Sequence, residues 1–373
     1  MKNYTVVGAG ILGATVAYYL AKAGVKVTII DRKDLGQATD AAAGIICPWL
    51  SQRRNKAWYT LAKNGARFYP TLIKQLEEDG ERNTGYKQVG AISLHTDANK
   101  LAKMEGRALK RREDALEIGN IVTLSAEKTK EKFPLLSEEF GSVYVSGGAR
   151  VNGRALRQAL ISAAVKHGAT FIQGGASLVV DGNEVVGVKV DGEHIPSYRV
   201  IITAGAWANE ILKPLGISFL VKPQKAQIVH LKIDDVQTNE WPVVMPPNNQ
   251  YLLSIGDGKI VIGATHEDDM GFDNRITIGG VHEILDKALK VAPGLCDATF
   301  VETRVGFRPV TPGFLPVFGK IPNVKGLYAA NGLGASGLTV GPFLGSEVGK
   351  LLLNEETSID KSDYDIAGAI EYL

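Results

Sequence analysis

Residues 4–31, YTVVGAGILGATVAYYLAKAGVKVTIID, confine the start of the chain to one supersecondary unit. Tyr4–Gly8 is a short, β-branched apolar run of the kind that forms a buried parallel strand. Gly8, Gly10 and Gly13 follow in GxGxxG spacing. Ile11 to Ala23 then has helical periodicity and stops at Gly24, a C-terminal signal. Val25–Ile30 is a second apolar strand, closed by Asp31. In such a βαβ unit Gly8 permits the tight turn, Gly10 lets a pyrophosphate approach the backbone, and Gly13 lets helix and strand pack closely. The helix N-terminus offers unpaired N–H groups and a partial positive charge to phosphates. Asp31 can accept hydrogen bonds from an adenosine ribose, and an acid there disfavours a 2′-phosphate, hence NADP. The stretch therefore predicts a bound dinucleotide without separating NAD from FAD.

With 373 residues the chain is long for one core, which predicts two domains. The 42 basic and 40 acidic side chains leave a net charge of +2, which makes no electrostatic case for nucleic acid or an anionic membrane. Cys47 and Cys296 are the two cysteines, with no CxxC, so neither a disulfide framework nor a zinc site is expected, and a reducing cytoplasm fits best. Residues 5–20 are apolar enough to suggest a signal peptide, but the spaced glycines argue against one. No uncharged apolar run is long enough to span a bilayer, so no transmembrane segment is expected. The six histidines have neither metal nor triad spacing, and no metal is expected. His230 and His266 fall in a sheet-rich middle region and receive no catalytic role.

Along the rest of the chain, small residues cluster from Ala38 to Gly44, where a flat ring system could lie against backbone. Periodicity predicts helices over 56–82 and 97–118, a strand over 86–94, and an N-cap at Ser125. A helix and then a strand fill 151–171, and strands follow at 185–190 and 199–204. The second of these enters a turn at Ala204–Gly205, at the carboxyl edge where α/β sheets bind ligands. Alternating apolar segments over 220–266 predict an antiparallel sheet, and 280–292 a helix. The closing GLYAANGLGASGLTVGPFLGSEVGKLLL reads as strand, glycine loop and helix. Both ends of the chain thus read as nucleotide-binding elements around a sheet-rich middle.

Five stretches together resemble the FAD-dependent D-amino acid oxidase, glycine oxidase and sarcosine oxidase superfamily: VGAGILG with Asp31, ATDAAAGI (38–45), TAGAWA (203–208), VGFRPVTPGFLPVFG (305–319) and GLGASGLTVGP (332–342). The spacing is most similar to bacterial glycine oxidases and D-amino acid dehydrogenases. The resemblance implies an α/β fold. A Rossmann-like FAD-binding domain would comprise 1–88, 146–219 and 305–373, interleaved with an α+β substrate domain of 89–145 and 220–304 built on a largely antiparallel sheet.

It also implies non-covalent FAD. Gly8, Gly10, Ile11, Leu12, Gly13, Asp31 and Arg32 would surround pyrophosphate and adenosine, with Ala176 near the adenine and Ala204 and Gly205 at the sheet edge. Ala38, Thr39, Ala43, Gly44 and Ile45 would line the path to the ring system. Gly332, Leu333, Gly334, Ala335, Ser336, Gly337, Leu338 and Thr339 would bring backbone amides to the ring's carbonyl edge. Arg308, in the GxRP motif, would fix an amino acid carboxylate, a role its planar guanidinium suits better than lysine would. Tyr251 would join it.

The implied reaction is loss of the α-hydrogen as hydride to flavin N5, giving an imino acid that water converts to keto acid and ammonia or amine, so no catalytic side chain is assigned. The substrate would be glycine, sarcosine or a D-amino acid, the acceptor oxygen or an electron carrier. A dehydrogenase feeding a quinone and a flavin subunit without turnover of its own are the alternatives, and a homo-oligomer is left open. The chain departs from the glycine oxidase pattern at Leu333 and Ala335, where His and Arg occur. It departs again at Leu253–Ser254, in place of Pro–Arg, and at Gly313, in place of Asp.

Overall fold

A computed structural model describes residues 2–373. The opening stretch folds as read, with strand Asn3–Val7, helix Ile11–Lys22 and strand Lys26–Asp31. Asn3–Val7 pairs in parallel with Lys26–Asp31 on one side and Arg199–Ile202 on the other. Thr170–Gln173 and Leu327–Asn331 extend the parallel sheet outward, and Val317–Lys320 closes one edge antiparallel, giving six strands. These strands read as continuous apolar runs because both faces are covered; Val6, Ile29, Ile201 and Ile202 are fully buried. Helices Ile11–Lys22, Gly153–Lys166 and Gly337–Leu353 pack on one face. On the other face lies a three-stranded antiparallel sheet of residues 176–196, whose Val185, Val188 and Val190 meet Val7, Ile30 and Val200.

The second sheet has eight strands, antiparallel except where Val243–Met245 runs parallel to Ala91–His95. Its longest ribbon pairs Lys222–Lys232 with Thr299–Val310. Helix Ile278–Val291 covers one face through Ile284, Ala288 and Val291. The 304/305 boundary expected from sequence falls inside the Thr299–Val310 strand, so Val305–Val310 belongs to the eight-stranded sheet. Two expected elements are shorter than their periodicity. The 86–94 strand is interrupted because the Val89 and Gly90 amides both turn to the Gly148 carbonyl. The 97–118 helix ends at Arg112, and a short 3-10 turn follows at Leu116–Ile118. Ser125 caps its helix, accepting from the Lys128 amide at 3.3 Å. Among the described residues no helix is long and apolar enough to cross a membrane.

Candidate active site

A cavity of about 660 Å³ lies between the carboxyl ends of the parallel strands and one face of the eight-stranded sheet. Four loops that leave those strand ends, or cross over them, form one wall. Gly8, Gly10, Ile11 and Leu12 follow the first strand, and Asp31 and Arg32 end the second. Ala204 and Gly205 follow the third, and Leu333 to Thr339 span the loop after the fourth and the first turn of its helix. Ala38, Thr39, Ala43, Gly44, Ile45 and Ala176 also line the cavity. Two residues of the expected cofactor set stand behind the wall. A methyl group on Gly13 would lie 1.9 Å from the Gly8 carbonyl, so this position packs helix on strand. One on Gly332 would lie 2.0 Å from Thr311 Oγ1, so this position packs on the 311–315 turn.

Two side chains and one backbone amide are committed differently from their sequence reading. The Asp31 carboxylate is buried and accepts from the Ala9 amide at 2.6 Å, the Lys33 amide at 2.7 Å and Gln37 Nε2 at 2.8 Å. It ties the glycine loop to the following turn, leaving about one of its four acceptor directions for a ribose. Arg32 is paired with Asp34 at 2.9 Å and Glu210 at 3.0 Å, so its charge is already compensated. The Ile11 amide, expected at the pyrophosphate, donates to Thr39 Oγ1 at 3.0 Å.

Sequence reading missed the prop beneath the C-terminal glycine loop. Helix Lys56–Glu78 sets Trp58, Gly65 and Tyr69 on one face, at i, i+7 and i+11. Trp58 Nε1 donates to Ser336 Oγ at 2.9 Å, and the Tyr69 hydroxyl donates to the Leu338 carbonyl at 2.5 Å. A methyl group on Gly65 would lie 2.0 Å from the Thr339 carbonyl, so the backbones touch there. Thr339 Oγ1 then donates to the Ile45 carbonyl at 2.9 Å, joining this loop to the 38–45 loop. The helical spacing of these residues was the available signal, but it reads equally as ordinary core packing.

Arg308 and Tyr251 both line the cavity and lie near one another. Arg308 sits opposite Gln224 in the long ribbon. Its Nη1 reaches Gln224 Oε1 at 3.4 Å and the Thr265 carbonyl at 3.5 Å, both at the weak limit. Among the described residues no carboxylate lies within 4.0 Å of it. Burial draws its pKa down, with Tyr251 acting the other way. Burial pushes the Tyr251 hydroxyl up to about 12 despite Arg308. His266 also lines the cavity, and burial, followed by Arg308, lowers its pKa. His230 does not line the cavity, and its pKa is lowered to about 4 by burial and then Arg304. Ser254 is buried against Thr238 and, like Leu253, brings nothing to the cavity.

Behind the Arg308 strand, the fully buried Lys225 ammonium lies 3.7 Å from Glu267 and 3.6 Å from Asp273. Lys225 and Glu267 also exchange backbone hydrogen bonds at 3.0 Å. Together these contacts hold the segment that presents the Thr265 carbonyl and His266. Replacing Lys225 by methionine leaves the two carboxylates facing each other beside an apolar chain, which is strongly unfavourable. The expected result is a lower thermal unfolding midpoint than for Lys225→Arg, measured on both variants with flavin bound.

Residues 3–351 match the family described as DAO, FAD dependent oxidoreductase. The chain belongs to this family. It is therefore an FAD-dependent oxidoreductase. It is 66% identical over 371 residues to the uncharacterized oxidoreductase YurR of Bacillus subtilis, covering 99% of this chain and 100% of that protein. It is 30% identical to a glycine oxidase of Pseudomonas aeruginosa, over 99% of this chain and 100% of that one. The crystal structure of iminodiacetate oxidase (IdaA) from Chelativorans sp. BNC1 superposes with a TM-score of 0.94 at 44% identity, covering 97% and 98% of the two chains. The cavity fits FAD: its lining brings together five loops, the N-terminus of helix Ile11–Lys22, and glycine- and alanine-rich backbone from Ala41 to Gly44 and from Gly334 to Gly337.

Proposed function

We propose that this protein oxidises the C–N bond of a small α-amino acid or secondary amine bearing a carboxylate, in the class of glycine, sarcosine and N-substituted glycines. The observation that carries the reading is Arg308, a half-buried guanidinium without an acid partner on the wall of the FAD cavity. A partly buried charge without a partner is costly unless a ligand supplies one. A carboxylate can take both of its outward N–H groups at once. Tyr251 stays protonated at neutral pH and can donate a further hydrogen bond. His266 is held neutral, so it adds no charge that would repel a protonated amine. The glycine and iminodiacetate oxidases among its relatives support the same class.

When bound, FAD supplies the two-electron acceptor for the α-carbon. Leu12 and the glycine loop are assigned to the pyrophosphate, the 38–45 loop to one face of the ring system, and the 333–339 loop to its edge. Cys47 lines the cavity, but burial raises its thiol to about 12, which keeps it from being the thiolate a covalent flavin bond would need. The chain divides into an FAD-holding unit of 2–88, 146–219 and 311–373 and a substrate unit of 89–145 and 220–310, which keeps the Arg308 strand whole.

The test is anaerobic titration of the flavin enzyme with glycine, sarcosine, iminodiacetate, proline and mixed D-amino acids. Bleaching of the flavin band by one of them is the expected result. Admitting air then reads the acceptor from the reoxidation rate. A flavin that none of these amines bleaches overturns the reading.

A further inference from the structure

Separate from the FAD cavity, a depression of about 550 Å³ is lined by residues 52–55, by helix Lys56–Glu78, and by Arg107 and Arg111 of helix Ala98–Arg112. Its size is that of a small-molecule site, about 300–1,000 Å³. It holds Arg53, Arg54, Lys56, Lys63, Arg107 and Arg111 against one carboxylate, Asp114, a net charge of +5. The whole chain carries +2, so this one depression holds more positive charge than the protein as a whole. Asp114 is taken by Lys63 at 2.7 Å. Among the described residues Arg53, Arg54, Lys56, Arg107 and Arg111 have no carboxylate within 4.0 Å. Arg111 donates to the Trp49 and Ser51 carbonyls and lies over the Tyr59 ring. Burial draws its pKa down, Tyr59 opposes this, and Arg107 adds to the lowering. Like charges held this close repel one another, and an anion among them relieves the repulsion.

Arg53 joins this depression to both supports of the C-terminal glycine loop. Its guanidinium lies 4.8 Å from the centre of the Trp58 ring, whose indole donates to Ser336 Oγ at 2.9 Å. One guanidinium nitrogen donates to the carbonyl of Phe314, in the 311–315 turn. Gly332 packs on that same turn through Thr311. An anion that draws on Arg53 therefore acts on both contacts at once.

We propose that this depression binds a small polyanion of the pyrophosphate type, and that its occupancy reaches the flavin loop through Arg53. Two phosphoryl groups bring roughly three to four negative charges, which Arg53, Arg54, Lys56 and Arg107 can match. Phosphoryl oxygens take forked guanidinium contacts, and two groups offer enough oxygens for several arginines to share. The site lies outside the amine-oxidising cavity, so its existence does not depend on the substrate. The coupling rests on the assignment of the 333–339 loop to the flavin.

The test is calorimetric titration of the FAD-loaded enzyme with inorganic pyrophosphate, sulfate and ADP, at fixed ionic strength and without divalent metal. FAD fills the dinucleotide cavity, so ADP reports on the depression. Wild type is expected to bind pyrophosphate about 10–100-fold tighter than sulfate, the worth of one further charge-assisted contact. Arg54→Gln and Arg107→Gln should each weaken pyrophosphate about tenfold. Lys110→Gln removes an equal charge from helix Ala98–Arg112 outside the lining, and should change it less than about twofold. ADP binding tighter than pyrophosphate makes the anion a nucleotide, and ADP binding no tighter makes it the phosphate groups alone; both support the site. No binding of pyrophosphate, equal binding of pyrophosphate and sulfate, or equal losses in Lys110→Gln and Arg107→Gln overturns it. If Arg107→Gln fails to hold flavin, the exposed Arg54→Gln decides. In the same titrations pyrophosphate should shift the flavin absorption band, and Arg53→Gln should abolish the shift while pyrophosphate still binds. Binding that leaves the wild-type band unmoved overturns the coupling. Neither readout involves turnover, so both are read separately from whether any amine bleaches the flavin.

Discussion

Arg308→Leu is expected to raise KM for a carboxylated amine by about 10²–10³-fold, the cost of truncating one member of a buried charge pair. The flavin should remain bound at full occupancy, because Arg308 bonds to Gln224 and the Thr265 carbonyl and to nothing in the glycine loop or at Arg32. The loss should fall on KM more than on kcat, since a carboxylate remote from the reacting bond is held equally in ground and transition states. Arg308→Lys should recover little, because a single ammonium cannot match both carboxylate oxygens from that position on the strand. Steady-state kinetics with flavin content measured on the same samples would check this. A KM within about threefold of wild type would remove the carboxylate anchor from the mechanism.

Gly44→Ala is expected to cost about 2–5 kcal/mol of stability and to lower the flavin content of the purified protein. Gly44 has φ +94°, where an L-residue is strained, and an added methyl carbon would lie 1.8 Å from the Val151 carbonyl. That carbonyl cannot retreat easily, because the Val151 amide donates back to the Gly44 carbonyl at 2.8 Å. Neighbouring Ile45 and Ile46 pair with Arg150 and Ala149. Any relief must displace the 38–45 loop, which forms the cavity wall. Chemical denaturation with and without added FAD would separate the two effects, and wild-type stability in the Gly44→Ala variant would show that the loop is free to move.

The opening βαβ unit was legible because every cue within its 28 residues is local: an apolar run, a glycine turn, a period of 3.6, a second run and an acid. The C-terminal strand, glycine loop and helix were legible for the same reason. Arg308 and Tyr251 came from the family resemblance, and the fold brings both to the cavity, with residues separated by 57 positions facing the same space (308 less 251). The 304/305 limit, drawn at a motif, cuts the strand that carries it, and only the pairing with Lys222–Lys232 reveals where that strand begins.

By itself, the sequence determined which segments are strand, turn and helix near the cofactor, and it placed glycine where backbone must approach backbone. These follow from short-range sterics and periodicity. The tertiary structure alone decided how side chains are used. Asp31 is occupied by the amides of Ala9 and Lys33, Lys225 is enclosed by Glu267 and Asp273, and Trp58 and Tyr69 support a loop more than 260 residues away. It also decided which cations go unpaired. Arg32 finds Glu210, whereas Arg308 and Arg53 find no acid. Charge compensation depends on which distant residues the folded chain brings within a few ångströms, and no local pattern encodes that distance.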